Sequence, residues 1–127
     1  MLLIEAVAAY TAAMQMMERE MDYATAHALL LLKKRLQPHA EFYAERELEL
    51  ARSYGAKDDE GRVQTDELGR FTFRDEEAGR EHNRRKLELG SVELQENWEK
   101  LRAPRPERIS PAVLEALSAF IVFTEEE

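Results

Sequence analysis

Apolar residues crowd the start of the chain. Leu3, Ile4, Val7, Ala8, Tyr10, Met14 and Met17 fall on nearly every side of a helical wheel, among good helix formers. The pattern predicts a first helix over residues 2–20, buried on more than one side. Met14, Met16, Met17 and Met21 would also suit a groove that repacks around partner helices. Residues 22–54 form the longest helical stretch, with Asp22 able to cap its start. Leu29, Leu36, Tyr43 and Leu50 recur every seven residues there. Leu32 and Ala40 fit a seam; Lys33 and Glu47 do not. The expectation is a long helix packed on other helices, not a free-standing zipper. Pro38 removes a backbone bond and crowds the preceding turn, predicting a kink near residues 35–38 or two helices meeting there. Gly55 then reads as a C-cap.

The period changes after Gly55. Asp58-Asp59-Glu60-Gly61 and Asp66-Glu67-Leu68-Gly69 read as turns. Arg62-Val63-Gln64-Thr65 and Arg70-Phe71-Thr72-Phe73 alternate as half-buried strands do. The four residues between them suit a hairpin loop ending in glycine, with Phe71 and Phe73 on one face opposite Val63 and Thr65. A lone hairpin is marginal, so another element must cover those rings. Residues 75–89 return to helix, capped by Asp75 and stopped by Gly90, with a thin apolar stripe of Ala78, His82, Leu87 and Leu89. Ser91-Val92-Glu93-Leu94-Gln95 suits a third strand of the hairpin sheet. Trp98 and Leu101 are apolar anchors, and residues 103–106 a proline-bound loop. Ser110 and Pro111 open a last helix whose stripe is Val113, Leu114, Leu117, Phe120 and Ile121, before a frayed tail at Glu125, Glu126 and Glu127.

The fold class that follows is mainly α with a small β part (α+β): a long helical hairpin-like pair, a small antiparallel β-hairpin and a short C-terminal helix. Residues 1–127 make one domain, divided into N-terminal helices (1–55), hairpin (57–74), helix and short strand (75–95), and loop with final helix (96–127). No internal repeat and no low-complexity segment stands out.

Composition narrows the function. Of 127 residues, 26 are acidic and 18 basic, for a net charge of −8. Such a chain repels duplex nucleic acid unless one face is locally basic. Arg80, Arg84, Arg85 and Lys86 cluster on one helix, but the helix dipole and pairs such as Glu81 with Arg85 account for them. Arg102, Arg105 and Arg108 are likewise flanked by acids, including Glu99 and Glu107. No nucleic-acid partner is expected. Cysteine is absent, which excludes disulfides and thiol chemistry. The apolar start lacks a basic n-region, Glu5 and Gln15 interrupt it, and it is shorter than the ~20 residues a span needs. The expected place is the cytoplasm, with no membrane contact.

Chemistry-bearing patterns do not assemble. With Gly61 at position 6 of a calcium loop, Asp58, Glu60 and Glu67 take positions 3, 5 and 12, but Ala56 falls at position 1 and cannot ligate. The residues three before His27, His39 and His82 are Ala24, Leu36 and Gly79, so no di-iron Glu-x-x-His pair exists. No His-Glu-x-x-His, Gly-x-Ser-x-Gly or phosphate-cradling glycine loop occurs. No catalytic residue, metal or cofactor is expected, and the chain reads as non-enzymatic. What remains is apolar surface, more than so short a chain covers comfortably, which points to a homo-oligomer or a constant protein partner. The candidate interaction residues are Val7, Tyr10, Met14, Met17, Leu29, Leu36, Tyr43, Leu50, Phe71 and Phe73.

The order of motifs resembles a group of small phage and prophage proteins of Gram-positive bacteria that carry no assigned activity. The residues concerned are residues 23–36, Glu41-Phe42-Tyr43-Ala44-Glu45-Arg46-Glu47-Leu48, Ser53-Tyr54-Gly55-Ala56-Lys57-Asp58-Asp59-Glu60-Gly61, Phe71 and Phe73, and residues 89–94 and 109–121. The resemblance implies a phage setting and an accessory protein, and brings no catalytic residue. A looser likeness is to prefoldin-like helix–hairpin–helix proteins, at the level of fold alone. The expected function is a structural, assembly or chaperone-like module acting through phage or host proteins. The alternative is an acidic inhibitor or decoy for a host protein that handles nucleic acid, suggested by the charge and by Glu41, Glu45, Glu47 and Glu49.

Overall fold

The computed structural model describes residues 1–95 and 99–125. Trp98, Glu126 and Glu127 lie outside the described residues. In chain order the elements are α1 (Leu3–Met16), α2 (Tyr23–Tyr54), α3 (Glu76–Gly90), β1 (Leu101–Pro104), α4 (Pro111–Leu117) and β2 (Ile121–Thr124).

Helix α1 is shorter than expected, and its inner face is built from alanine. Ala6, Ala9, Ala12 and Ala13 are buried with Leu3 and Met16. Side chains of one methyl let α1 lie close on α2, whose Leu29, Leu32 and Leu36 fill the space between. Leu117 of α4, Ala103 of β1, and Phe120 and Ile121 complete the same core. At the start of α1 the Glu5 carboxylate accepts the Leu2 N–H at 2.7 Å, satisfying one otherwise free donor.

Helix α2 runs unbroken for 32 residues with Pro38 inside it, so it is not split in two. Pro38 sits on the exposed side. Asp22 stands at its N-cap but its side chain makes no capping bond. Gly55 ends the helix in extended backbone, not in the left-handed form of a glycine cap. Space explains the residue: a Cβ there would lie 2.5 Å from the Ala51 carbonyl oxygen and 2.8 Å from Val63 Cγ1.

The only sheet among the described residues is parallel, not antiparallel. β1 pairs with β2 in register Leu101–Ile121 through Pro104–Thr124, with α4 as the crossover. The expected C-terminal helix thus ends early, and Ile121 of its stripe belongs to a strand. Parallel neighbours need such a crossover, and α4 with its flanking loops supplies it. The Thr25 hydroxyl donates to the Pro104 carbonyl at 2.9 Å and ties β1 to α2.

The antiparallel hairpin expected over residues 57–74 does not form as strands. Three isolated bridges take its place: Lys57 with Val63, Thr65 with Phe71, and Gly55 with Phe73. Each limb divides its pairing between two neighbours, so no pair extends into a ladder. A closed ring of backbone bonds joins the three limbs. Ala56 N–H donates to Thr72 (2.7 Å), Gln64 N–H to Ala56 (2.8 Å) and Thr72 N–H to Gln64 (3.1 Å). A second tier repeats the relation: Asp58 N–H to Arg62 (2.8 Å), Asp66 N–H to Arg70 (2.7 Å), Arg74 N–H to Tyr54 (3.1 Å). Equivalent residues are eight apart, so the unit is a three-sided β element with approximate three-fold symmetry.

This unit contains an internal repeat that the pattern of apolar residues concealed, Asp-x-x-Gly-Arg at 58–62 and again at 66–70. In both copies the Asp Oδ1 accepts the N–H groups two and four residues on, at 2.9 and 3.0 Å. In both, glycine adopts positive φ, 82° at Gly61 and 81° at Gly69, which an L side chain adopts only under strain. The acids of these turns are therefore backbone caps. The third corner has no turn; α2 enters there and α3 leaves.

Residues 91–95 do not join this unit. Leu3 N–H donates to Val92 and Leu94 N–H to Met1, both at 2.8 Å, and Leu2 bridges Glu93. Leu94 packs partly against the main core beside Met1, which explains the choice of partner.

Candidate functional site

The heptad residues face the chain's own core. Leu29 and Leu36 are fully enclosed and Tyr43 nearly so, while Leu50 is half-buried. The seam read as an interaction surface is covered internally, chiefly by α1 packed along α2. Tyr10 and Met17 are half-buried against the same core, and Val7 is half-buried. Met14 is exposed.

Phe71 and Phe73 are covered by α3. His82 is 6% exposed, with the Phe73 ring centroid at 5.0 Å, Phe71 at 5.1 Å and Tyr54 at 6.4 Å. Its Nδ1 lies 3.4 Å from the Asn83 Oδ1. His82 is thus the hub on which the three-sided unit is seated, and that use accounts for both phenylalanines.

Two open features stand out among the described residues. The first is an apolar groove of about 310 Å³ where the start of α1 meets α2 and the end of α3. Ile4, Tyr43, Asn83, Lys86, Leu87, Gly90 and Ser91 line it. Gly90 brings the helices together; a Cβ on it would stand 3.2 Å from the Ile4 Cβ. Lys86 reaches Glu47 on α2 at 3.2 Å and closes one side. Burial first, and then the Glu47 charge, raises the Tyr43 phenol above its ordinary pKa, so it stays neutral at the groove floor. The polar groups here are an amide, a hydroxyl, a neutral phenol and an ammonium already paired. That lining suits apolar contact with hydrogen bonds at the rim.

Apolar residues project beside this groove. Leu87 is 73% exposed, Ile4 43% and Val92 45%. From Ile4 an exposed stripe of Ala8, Thr11 and Met14 runs down the outside of α1 without a charge, flanked by half-buried Val7. It spans about 15 Å of helix at 1.5 Å per residue.

The second feature is a polar cleft of about 480 Å³ between the α1–α2 turn and the loop after β1. It holds Arg19, Arg105 and Arg108 together with Glu20, Asp22 and Glu107, over Met16, Met21, Thr25 and Pro106. Among the described residues, no three His, Asp or Glu side chains gather to hold a metal ion, and no helix is long and apolar enough to cross a membrane.

Of the ten candidate interaction residues, the groove contains only Tyr43. Ile4 and Leu87 line it without being among those ten, and the apolar pattern alone puts Leu87 on the inner stripe of its helix with His82. Leu87 is five residues beyond His82, about 140° round the wheel at 100° per residue, so it cannot share the inner face. No family model, no curated protein and no solved structure matches this chain.

Proposed function

We propose that this protein is a non-enzymatic accessory protein that works through protein–protein contacts, and that it self-associates through the α1–α3 face. The observation that carries the reading is that one surface holds an apolar groove, a projecting leucine beside it and a charge-free helix stripe leading from it. A knob and a hole on one patch are what a two-fold contact needs, since each copy presents both to the other. Burying Leu87 and Ile4 in this way would remove apolar surface from water at roughly 25 cal/mol per Å². The resemblance of the motif order to small phage proteins supports a phage and host-cell setting and an assembly or chaperone-like role.

The acidic-decoy reading has less in its favour. The acids of α2 are interleaved with Lys33, Lys34, Arg35, Arg46 and Arg52, and Arg46 binds Glu49 at 2.7 Å.

The test is solution mass by light scattering on a sizing column, at low and high salt, for the native chain and Leu87→Glu. A dimer at both salts that becomes a monomer in the variant is expected. Leu87 is mostly exposed, so the variant keeps its fold, which far-ultraviolet circular dichroism checks. A native monomer up to submillimolar concentration, or a variant that still dimerises, would overturn the proposal.

A further inference from the structure

The arginines of α3 and those of the polar cleft are used differently. On α3, Arg84 reaches Glu81 at 2.5 Å and Glu88 at 2.6 Å, and Arg85 reaches Glu81 at 3.1 Å. In the cleft, among the described residues, neither Arg19 nor Arg108 has a carboxylate within ion-pair distance, although Glu20, Asp22 and Glu107 line the same space. Arg19 spends one N–H on the Arg108 carbonyl, at 3.1 Å, and Arg105 meets Glu125 only at 3.9 Å. A guanidinium carries five donors, so most of those in the cleft are uncommitted.

The cleft is also held in shape. Pro104 and Pro106 fix the backbone on either side of Arg105. The Thr25 bond to Pro104 and the Arg19 bond to Arg108 fasten the loop at both ends. The arginines thus come from segments far apart in sequence and converge on a preformed space. The start of α2 adds to their field, since Asp22 leaves the first N–H groups without a side-chain acceptor.

We infer that this cleft binds a small phosphate ester bearing free hydroxyls, of the sugar-phosphate or nucleotide class. The arginine forks supply paired donors for phosphate oxygens. The three carboxylates balance the three cations, so a bare polyanion gains little on entry. They accept hydrogen bonds from sugar hydroxyls, which inorganic phosphate lacks. Met16, Met21 and Pro106 give the apolar wall for the body of the ligand. The volume of about 480 Å³ falls in the range usual for small-molecule sites, roughly 300–1,000 Å³.

The experiment is titration of the full chain, followed by amide nuclear magnetic resonance, with ribose 5-phosphate, inorganic phosphate, ribose and a single-stranded oligonucleotide as separate probes. Ribose 5-phosphate is expected to move the amides of residues 19–25 and 105–108 saturably. It should bind about tenfold tighter than inorganic phosphate, as hydroxyl contacts add to the phosphate ones. Ribose alone and the oligonucleotide should leave those amides unmoved. Arg108→Ala should weaken ribose 5-phosphate about tenfold or more, the effect of losing a charge-assisted contact. Amides lining the α1–α3 groove should stay in place in that variant, as a check on folding. Equal binding of the two phosphates overturns the sugar-phosphate assignment. Absence of a saturable shift, or one that Arg108→Ala leaves unchanged, overturns the site. Neither result depends on whether the chain dimerises.

Discussion

The helical core and the three-sided unit of residues 54–74 are stabilised in opposite ways. The core is a matter of volume: alanines on α1 against leucines on α2, closed by Leu117, Phe120 and Ile121. Its backbone is regular, and any side chain of the right size and polarity would serve. The three-sided unit is a matter of backbone geometry. Its limbs carry Lys57, Arg62, Gln64, Thr65 and Arg70 on exposed positions. A ring of backbone bonds, two aspartate caps and two positive-φ glycines hold it, and one aromatic cluster seats it on α3. Substitution should therefore act globally in the first region and locally in the second.

The core side of this contrast gives the largest expected effect. Leu36 is fully enclosed between α1 and α2. Leu36→Ala should cost about 2–5 kcal/mol, from lost burial together with the cavity left behind. Denaturant unfolding should show the midpoint falling while the transition remains single. A loss under about 1 kcal/mol would mean that the α1–α2 seam closes over the hole, and that the packing is looser than the enclosed leucines indicate.

On the other side, Gly55→Ala places a methyl group against the Ala51 carbonyl and Val63 Cγ1. The carbonyl belongs to the last turn of α2 and cannot yield without opening it, so a cost of about 1–3 kcal/mol is expected, as for overpacking. Gly61→Ala and Gly69→Ala should each cost roughly 1 kcal/mol through left-handed backbone strain. They should match each other closely, because the two turns are built alike. Hydrogen exchange distinguishes the regions: the amides of Ala56, Gln64 and Thr72 should lose protection in these variants while those of α1 keep theirs. Equal loss in both regions would show that the unit and the core open together, and the contrast would fail.

The two regions also differ in how much the sequence disclosed. Helix positions followed from apolar spacing, and the turns at Asp58–Gly61 and Asp66–Gly69 from residue type. Both kinds of signal are local. The partners of each limb were not legible, because bridges divided among three limbs leave the same alternation as a hairpin. The repeat lay in aspartate, glycine and arginine, residues to which an apolar pattern is blind. Pairing of β1 with β2 was hidden for a related reason, since Leu101–Pro104 includes a proline and has only one fully buried side chain. The outward position of Leu87 is legible from the wheel, although apolarity alone groups it with His82. The cleft was not legible at all, because Arg19 meets Arg108 across 89 residues of chain.

A last and smaller test concerns α3, the element that joins the two regions. Glu81 receives Arg84 through two bonds, at 2.5 and 3.1 Å, and Arg85 at 3.1 Å. The hydrogen bond from Arg84 holds its carboxyl below the ordinary glutamate range, helped by the charges of both arginines. A carboxyl depressed on folding adds stability that is whole above the unfolded value, about 4.3, and that disappears as pH falls through the folded one. The native chain should therefore lose an increment between neutral and acid pH that Glu81→Gln lacks. Unfolding curves of the two should differ most near neutrality and converge as pH drops below about 4. The gap should also narrow in high salt, because the group is near the surface and its partners are screened. Exchange of α3 amides should follow the same trend while the α1–α2 core stays protected. A gap that persists unchanged at low pH would mean that Glu81 acts through packing and not through charge.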